Sequence, residues 1–323
     1  MPSSHVASLR FPYKRALLPR TKLAYVHLRN LLTDAKRDRS ARVFGYVVIQ
    51  LAEELLLLYL QEGELVNATR SDGRERSALP IADALAMVPS EPEYGEVAFH
   101  ECEDEQLACM FQAHAAPPEP WPPELDAANY AALAPYLMAT TYDGTLEVIA
   151  ENDVSYLVVR DGVVQRAFVR GPDPALPLDA QVRALFARGR ASVQRWLVTP
   201  PLPAQAPPAL IQAYRDLVNS LVRRLVESGR DSAPVIAEMA RQTLTAQHLA
   251  LKNFSAMDRA LHDPVADTEQ LTSAVAAWVA ELLWATADLD SGAPEAMLRE
   301  LTWDRRHMFQ SAGFFDRIPW QVG

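Results

Sequence analysis

Tyr59 to Ala68 reads YLQEGELVNA and Val158 to Ala167 reads VVRDGVVQRA: an apolar strand, an acid–glycine turn and a second strand, repeated 99 residues on. Alone, the 14 residues from Val47 to Leu60, VVIQLAEELLLLYL, fit either a buried helix or two strands, because short apolar runs do not separate the two by period. The second copy decides. Gly45 aligns with Gly144, Val47 with Leu146, Leu58 with Leu157, Gly63 with Gly162 and Ala68 with Ala167. Glu53-Glu54 falls on Asn152-Asp153, and Asn and Asp bond their own backbone and tolerate left-handed geometry, so this is turn chemistry. Both copies therefore read strand, turn, strand, turn, strand. Gly45, Gly63, Gly144 and Gly162 are taken as the structural turn positions, since Gly accepts positive φ without steric cost.

The flanks repeat as well. LAYVHLRNLL (Leu23 to Leu32) and YAALAPYLM (Tyr130 to Met138) put a helix before each copy. After the first, IADALAMV reads as a helix and GEVAFHECEDEQLACMF as a hairpin turning at Glu103–Gln106. After the second, DAQVRALF and ASVQRWLV keep that order with the hairpin trimmed. Proline runs, APPEPWPP (Ala116 to Pro123) and TPPLPAQAPP (Thr199 to Pro208), mark the joints as stiff spacers. Beyond Ala209 the period becomes helical: Leu210, Tyr214, Leu217, Val218, Leu221 and Leu225 share a face, and Gly229 ends the run. A second helix starts with Asp231 or Ser232 as cap and runs through Phe254 to about Leu261. A third begins at Asp267 with Gln270 three residues on, and a fourth follows Gly292. The expected fold is α+β: units over 1–115 and 124–198, then an antiparallel helical bundle over 209–323.

Composition narrows the function. With 323 residues, 49% hydrophobic and 22% charged, the chain can bury sizeable cores. A net charge of −10 argues against nucleic acid, whose binding needs a basic surface. Two cysteines, Cys102 and Cys109, are too few for a disulfide framework. The N-terminus lacks the apolar core of a signal peptide, and the longest apolar stretch is shorter than the ~20 residues of a membrane span. A cytoplasmic protein without a membrane span is expected.

The two hairpins resemble the PATAN-type domain of bacterial regulators, whose pattern is roughly Gly-x-Leu-x-Val, a gap, then strand, acid-Gly and a strand ending in Ala. The matching residues are GTLEV (Gly144 to Val148) with YLVVRDGVVQRA (Tyr156 to Ala167), and GYVVI (Gly45 to Ile49) with LYLQEGELVNA (Leu58 to Ala68). The likeness covers roughly 21–198 and leaves the helical third aside. It implies protein–protein contacts in signalling, polarity or motility systems, and it carries no catalytic residues.

No stretch spells out a reaction. G-x-S-x-G, H-E-x-x-H, G-x-x-x-x-G-K-[ST] and G-x-G-x-x-G are all absent. His100, Cys102, Cys109 and His114 are the candidate metal ligands: a hairpin would set His100 opposite Cys109, although x₆ between the cysteines is wider than usual zinc spacing. Ordinary burial is the preferred reading, and no cofactor is expected. In the helical third, Asp258 and His262 are four apart, with His248, Asp304 and His307 elsewhere. The basic groups Lys36 to Arg42 and Arg215 to Arg224 lack interleaved aromatics and read as a loop and a wet helix face.

Phe309, Phe314, Phe315, Ile318 and Trp320 crowd the tail. They either fold back to seal an interface or dock a protein partner or a second subunit as a homodimer. The leading expectation is a non-enzymatic scaffold or adaptor of bacterial signalling. The alternatives are a metal-dependent enzyme using Asp258, His262 or His307, and a small-ligand sensor.

Overall fold

The computed structural model describes residues 8–37, 43–89, 94–171, 175–189, 191–198, 200–254, 263–286 and 293–322. It is a mixed α+β structure with two antiparallel sheets of six and four strands. The chain divides into two compact units, one of residues 1–79 and 84–203 and one of 80–83 and 204–323. Both sheets belong to the first unit. Among the described residues no helix is long and apolar enough to cross a membrane.

The first sheet holds β1 (Arg15–Lys22), β2 (Gly45–Gln50), β3 (Leu55–Gln61), β4 (Glu64–Ser71), β5 (Arg76–Leu79) and β6 (Glu96–Glu101), in the order β1-β6-β2-β3-β4-β5. The second holds β7 (Gly144–Ala150), β8 (Asp153–Arg160), β9 (Val163–Phe168) and β10 (Ser192–Trp196), in the order β10-β7-β8-β9. In each, a late strand returns beside the first hairpin strand: β6 on β2 and β10 on β7. The tight turns are alike, with φ of 50° and 79° at Glu62-Gly63 and 49° and 75° at Asp161-Gly162. Two positive φ values make a turn whose twist matches the flanking strands. The bulges are alike too, falling between Tyr59 and Leu60 and between Val158 and Val159.

Gly45 and Gly144 are not turn residues, which corrects the sequence expectation. They open β2 and β7, where a Cβ would run into the backbone carbonyl oxygens of His100 and Trp196. Close strand approach, rather than a turn, is what demands glycine there.

Strand alternation explains why these runs are apolar throughout. Tyr46, Val48, Leu55, Leu57 and Tyr59 face one core, and Val47, Ile49, Leu56, Leu58 and Leu60 face another. With both faces covered, a strand has no polar side to display. Helix α1 (Leu28–Arg37) and Ala84 of α2 (Ile81–Ala86) cover the outer face of the first sheet. Leu133 and Leu137 of α4 (Tyr130–Ala139), with Val182 and Leu185 of α5 (Leu178–Ala187), cover the outer face of the second. The inner faces share one core with α3 (Asp104–Ala115).

Helix α3 replaces the expected hairpin at Glu103–Gln106. Asp104 and Glu105 lie in its first turn, where carboxylates oppose the positive end of the helix dipole. Leu107, Cys109, Met110 and Ala113 are buried in the inner core. The expected helix near Leu23 starts five residues later, after β1 and a 3₁₀ turn at Leu23–Tyr25. Neither β1 nor β5 was expected: RALLPRTK carries a proline and three basic residues, the composition of an edge strand.

The second unit packs α6 (Pro208–Glu227), α7 (Ala233–Leu244), α8 (Thr268–Thr286), α9 (Ala293–Thr302) and α10 (Arg306–Ser311) around one core. The Asp267 carboxylate caps α8, accepting from Gln270 N at 2.7 Å. Helix α7 stops at Leu244 rather than near Leu261, and the chain continues into a 3₁₀ turn at Leu249–Leu251. Arg241 holds that reversal, its Nη1 donating to Leu251 O at 2.5 Å.

Candidate functional site

A cavity of about 290 Å³ opens over the inner face of the first sheet. Three rungs of the β2–β6 ladder make its floor: Tyr46 opposite His100, Val48 opposite Ala98, and Gln50 opposite Glu96. The floor thus runs from aromatic through apolar to polar. Successive same-face rungs stand about 6.6 Å apart, so the outer two are separated by about 13 Å.

At the aromatic end, the Tyr13 ring stacks on His100 with centroids 4.4 Å apart and planes 12° from parallel. Tyr46 donates to Pro12 O at 2.7 Å, anchoring the incoming segment. Arg170 lies over the other ring of the stack, 5.9 Å from the Tyr13 centroid. Burial, and then the charge of Arg170, depress His100 to about 4. The ring is therefore neutral at ordinary pH, and its Nδ1 is buried without a hydrogen-bond partner among the described residues.

At the polar end, Gln50 is 8% exposed and its Oε1 has no partner among the described residues. Glu96 is tied to Arg20. Three arginines, Arg10, Arg20 and Arg170, line the cavity against that single carboxylate. Arg10, Arg170 and Arg188 share one anion, Asp153, at 3.0, 3.7 and 3.7 Å. Asp153 Oδ1 nevertheless lacks hydrogen-bond geometry to any of them, so these are loose ion pairs. A positive cavity in a chain of net charge −10 is the opposite of its average surface.

A second polar cluster lies inside the shared core. Glu147 of β7 is fully buried and meets Arg76 Nη1 of β5 at 2.7 Å. Tyr156 donates to the other carboxylate oxygen at 3.2 Å, and Arg76 also donates to Ala113 O at 3.2 Å. Burial alone would lower Arg76, but the charge of Glu147 and the neighbouring Tyr156 outweigh it, and the guanidinium is raised. The cluster has the features of a structural tie: a buried ion pair with its remaining polar atoms bonded to the protein.

The four candidate metal ligands are not brought together. His100 is in the cavity wall on β6. Cys102 sits just past β6, its N–H donating to Phe44 O at 3.0 Å. Cys109 and His114 are on α3 rather than a strand, so His100 and Cys109 do not face each other across a hairpin. Cys109 Sγ lies 3.4 Å from Thr145 Oγ1, and burial pushes its thiol up to about 11. Burial, and then Glu103, Asp104 and Glu101, push Cys102 higher still. Protonated thiols are neither good ligands nor nucleophiles. His114 donates from Nδ1 to Met110 O at 2.8 Å, and burial, followed by Arg76, depresses it to about 3. No group of three His, Cys, Asp or Glu side chains is placed to hold a metal among the described residues.

In the second unit, Asp258 and His262 lie outside the described residues. His248 precedes the 3₁₀ turn at Leu249–Leu251, while Asp304 and His307 are exposed. The aromatic tail is largely interior: Phe309, Phe314 and Ile318 are buried, and Phe315 and Trp320 pack against the same helical core. The rings of Phe309 and Phe314 lie 5.5 and 5.7 Å from Tyr214.

Gln50, Tyr13 and Arg170 escaped sequence reasoning. One signal was available for Gln50: it closes the otherwise apolar run GYVVIQ, all six residues of which are buried. Glu147 gave the same signal in GTLEVIA. No protein-family model, no curated protein and no solved structure matches this chain.

Proposed function

We propose that the chain is a non-enzymatic regulatory protein that senses a small ligand in the cavity of its first sheet. The observation that carries this reading is the cavity itself, about 290 Å³ over the β2–β6 ladder, with three arginines and a stacked Tyr13–His100 pair in its lining. Among the described residues the lining includes no Ser, Thr, Cys, Lys or Asp, and the one carboxylate among them is held by Arg20. Such a set is suited to binding.

Under this reading, residues 21–198 are two tandem copies of one helix-and-sheet unit, and 209–323 form an all-helical bundle. The matching turns, bulges and returning strands support the duplication. The likeness to PATAN-type regulators rests on the same hairpins, and it makes a signalling adaptor the output of the sensor: occupancy of the cavity sets whether a protein partner is engaged. Docking through the aromatic tail loses its support, because three of its five anchors lie inside the helical core.

A thermal-shift screen of the full chain against small metabolites tests the reading, run beside Ala98→Phe. Ala98 is on the cavity floor and 8% exposed, so a phenyl ring there fills the space a ligand would take. Ligands near 100 Kd should raise Tm by about 5 °C or more in the wild type and leave Ala98→Phe unmoved. Equal shifts in both proteins would refute the cavity as the site.

A further inference from the structure

The layout of the cavity says what kind of molecule it takes. We propose that its ligand is a small elongated amphiphilic acid, with its anionic head at the Tyr13–His100–Arg170 end, its apolar body along Val48 and Ala98, and a hydroxyl at the far end meeting the Gln50 amide. This rests on the sensor reading above and deepens it.

The three requirements come from three separate observations. An anionic head follows from the arginines: Arg10 and Arg170 reach the cavity while sharing Asp153 with Arg188. Three guanidiniums around one carboxylate leave positive charge uncompensated, and a second carboxylate or phosphate would take bidentate contacts there.

An apolar body follows from the middle rung. Val48 and Ala98 are paired there, and Ala16 of β1, which lies opposite His100, and Pro19 add apolar lining. None offers a side-chain polar group, so the ligand's central part must be hydrocarbon or a ring. Small residues at Ala16 and Ala98 are also what leaves the space open.

A hydroxyl at the far end follows from Gln50 and Glu96. Gln50 Oε1 is enclosed, so the amide offers its Nε2 to the cavity, and the ligand must bring an uncharged acceptor there beside Glu96. The length follows from the ladder: the head and the hydroxyl must be separated by roughly 13 Å or somewhat less, given the rung spacing. A compact planar acid is too short to reach both ends. A diacid is disfavoured, since a second carboxylate would meet Glu96.

Isothermal titration of the full chain with three probes tests the proposal: 8-hydroxyoctanoate (acid, body and hydroxyl), octanoate (acid and body) and 1,8-octanediol (body and hydroxyls). The expected order is 8-hydroxyoctanoate tightest, octanoate at least about fivefold weaker for want of the Gln50 bond, and the diol weakest. Arg170→Gln should weaken both acids about tenfold and leave the diol unchanged. Gln50→Leu should erase the advantage of 8-hydroxyoctanoate over octanoate. Circular dichroism of each variant confirms that it is folded. If the diol binds as well as the acids, or Arg170→Gln changes nothing, while Ala98→Phe still blocks binding, the ligand class is overturned and the cavity reading survives. If all three probes bind Ala98→Phe as well as the wild type, or none binds at all, the proposal fails, and a metabolite screen with no cavity-dependent hit then removes the sensor reading too.

Discussion

Arg76 of β5 and Glu147 of β7, 71 positions apart in sequence, meet at 2.7 Å in the core shared by the two sheets. Glu147 is fully buried, so neither charge can be spared: leaving one partner alone in such a place costs about 3–5 kcal/mol, whereas replacing both with apolar groups is often close to neutral. Glu147→Leu or Arg76→Met should each cost about 3 kcal/mol in urea unfolding, and the double variant clearly less than their sum. A double-mutant cycle showing simple additivity would mean that the pair is not coupled.

His114 makes the sheet unit acid-sensitive. Its Nδ1–H is used by Met110 O and its Nε2 has no partner, so protonation would bury an unmet N–H. The folded ring titrates near 3, against about 6.5 when unfolded. Below pH 6.5 the unfolded chain takes up a proton that the folded one refuses, so this contribution is complete above 6.5 and lost as pH falls toward 3. The slope is at most about 1.4 kcal/mol per pH unit. Unfolding free energies measured from pH 6 to 4.5 should fall less steeply in His114→Leu than in the wild type. Parallel slopes would contradict the assignment.

Gly63 and Gly162 differ from Gly229 in what surrounds them. All three have positive φ, but a Cβ on the first two would strike the carbonyl oxygens of Ala35 and Leu137, and one on Gly229 meets nothing within 4 Å. Gly229→Ala therefore loses only the backbone preference, about 1 kcal/mol. Gly63→Ala and Gly162→Ala should lose more than about 2 kcal/mol each, because a turn must also move away from its helix. Equal costs for the three, measured by chemical denaturation, would rule out the close approach.

The tail is part of a core. Phe314 is fully buried among Tyr214, Phe309 and Phe315, so Phe314→Ala should destabilise the helical unit by about 3–5 kcal/mol. Trp303, 68% exposed, is the control, and Trp303→Ala should stay within about 0.5 kcal/mol. Tail residues that served only docking would give the opposite ranking of stability.

What the sequence disclosed depended on whether its signals were local. The hairpins were legible because acid–glycine turns and apolar alternation are written within about ten residues, twice. The helix at Asp104–Ala115 was misread because DEQLACMF is buried against two sheets, and such a helix loses the one-sided polarity that marks its period. Burial of Phe309 and Phe314 was open as one of two readings, since an aromatic-rich terminus looks the same whether it packs inward or outward. The cavity was hidden for a different reason. Tyr13, Gln50, His100 and Arg170 are scattered across the first 170 residues, and only the β2–β6 register with the stacking of Tyr13 on His100 brings them to one place.

The most direct test of the central claim is a crystal structure of the full chain grown with 8-hydroxyoctanoate. The account predicts ligand density along Val48 and Ala98, with the carboxylate at Arg170 and the hydroxyl within hydrogen-bond distance of the Gln50 amide nitrogen. A cavity occupied by the protein's own side chains, or a ligand bound elsewhere, would contradict it.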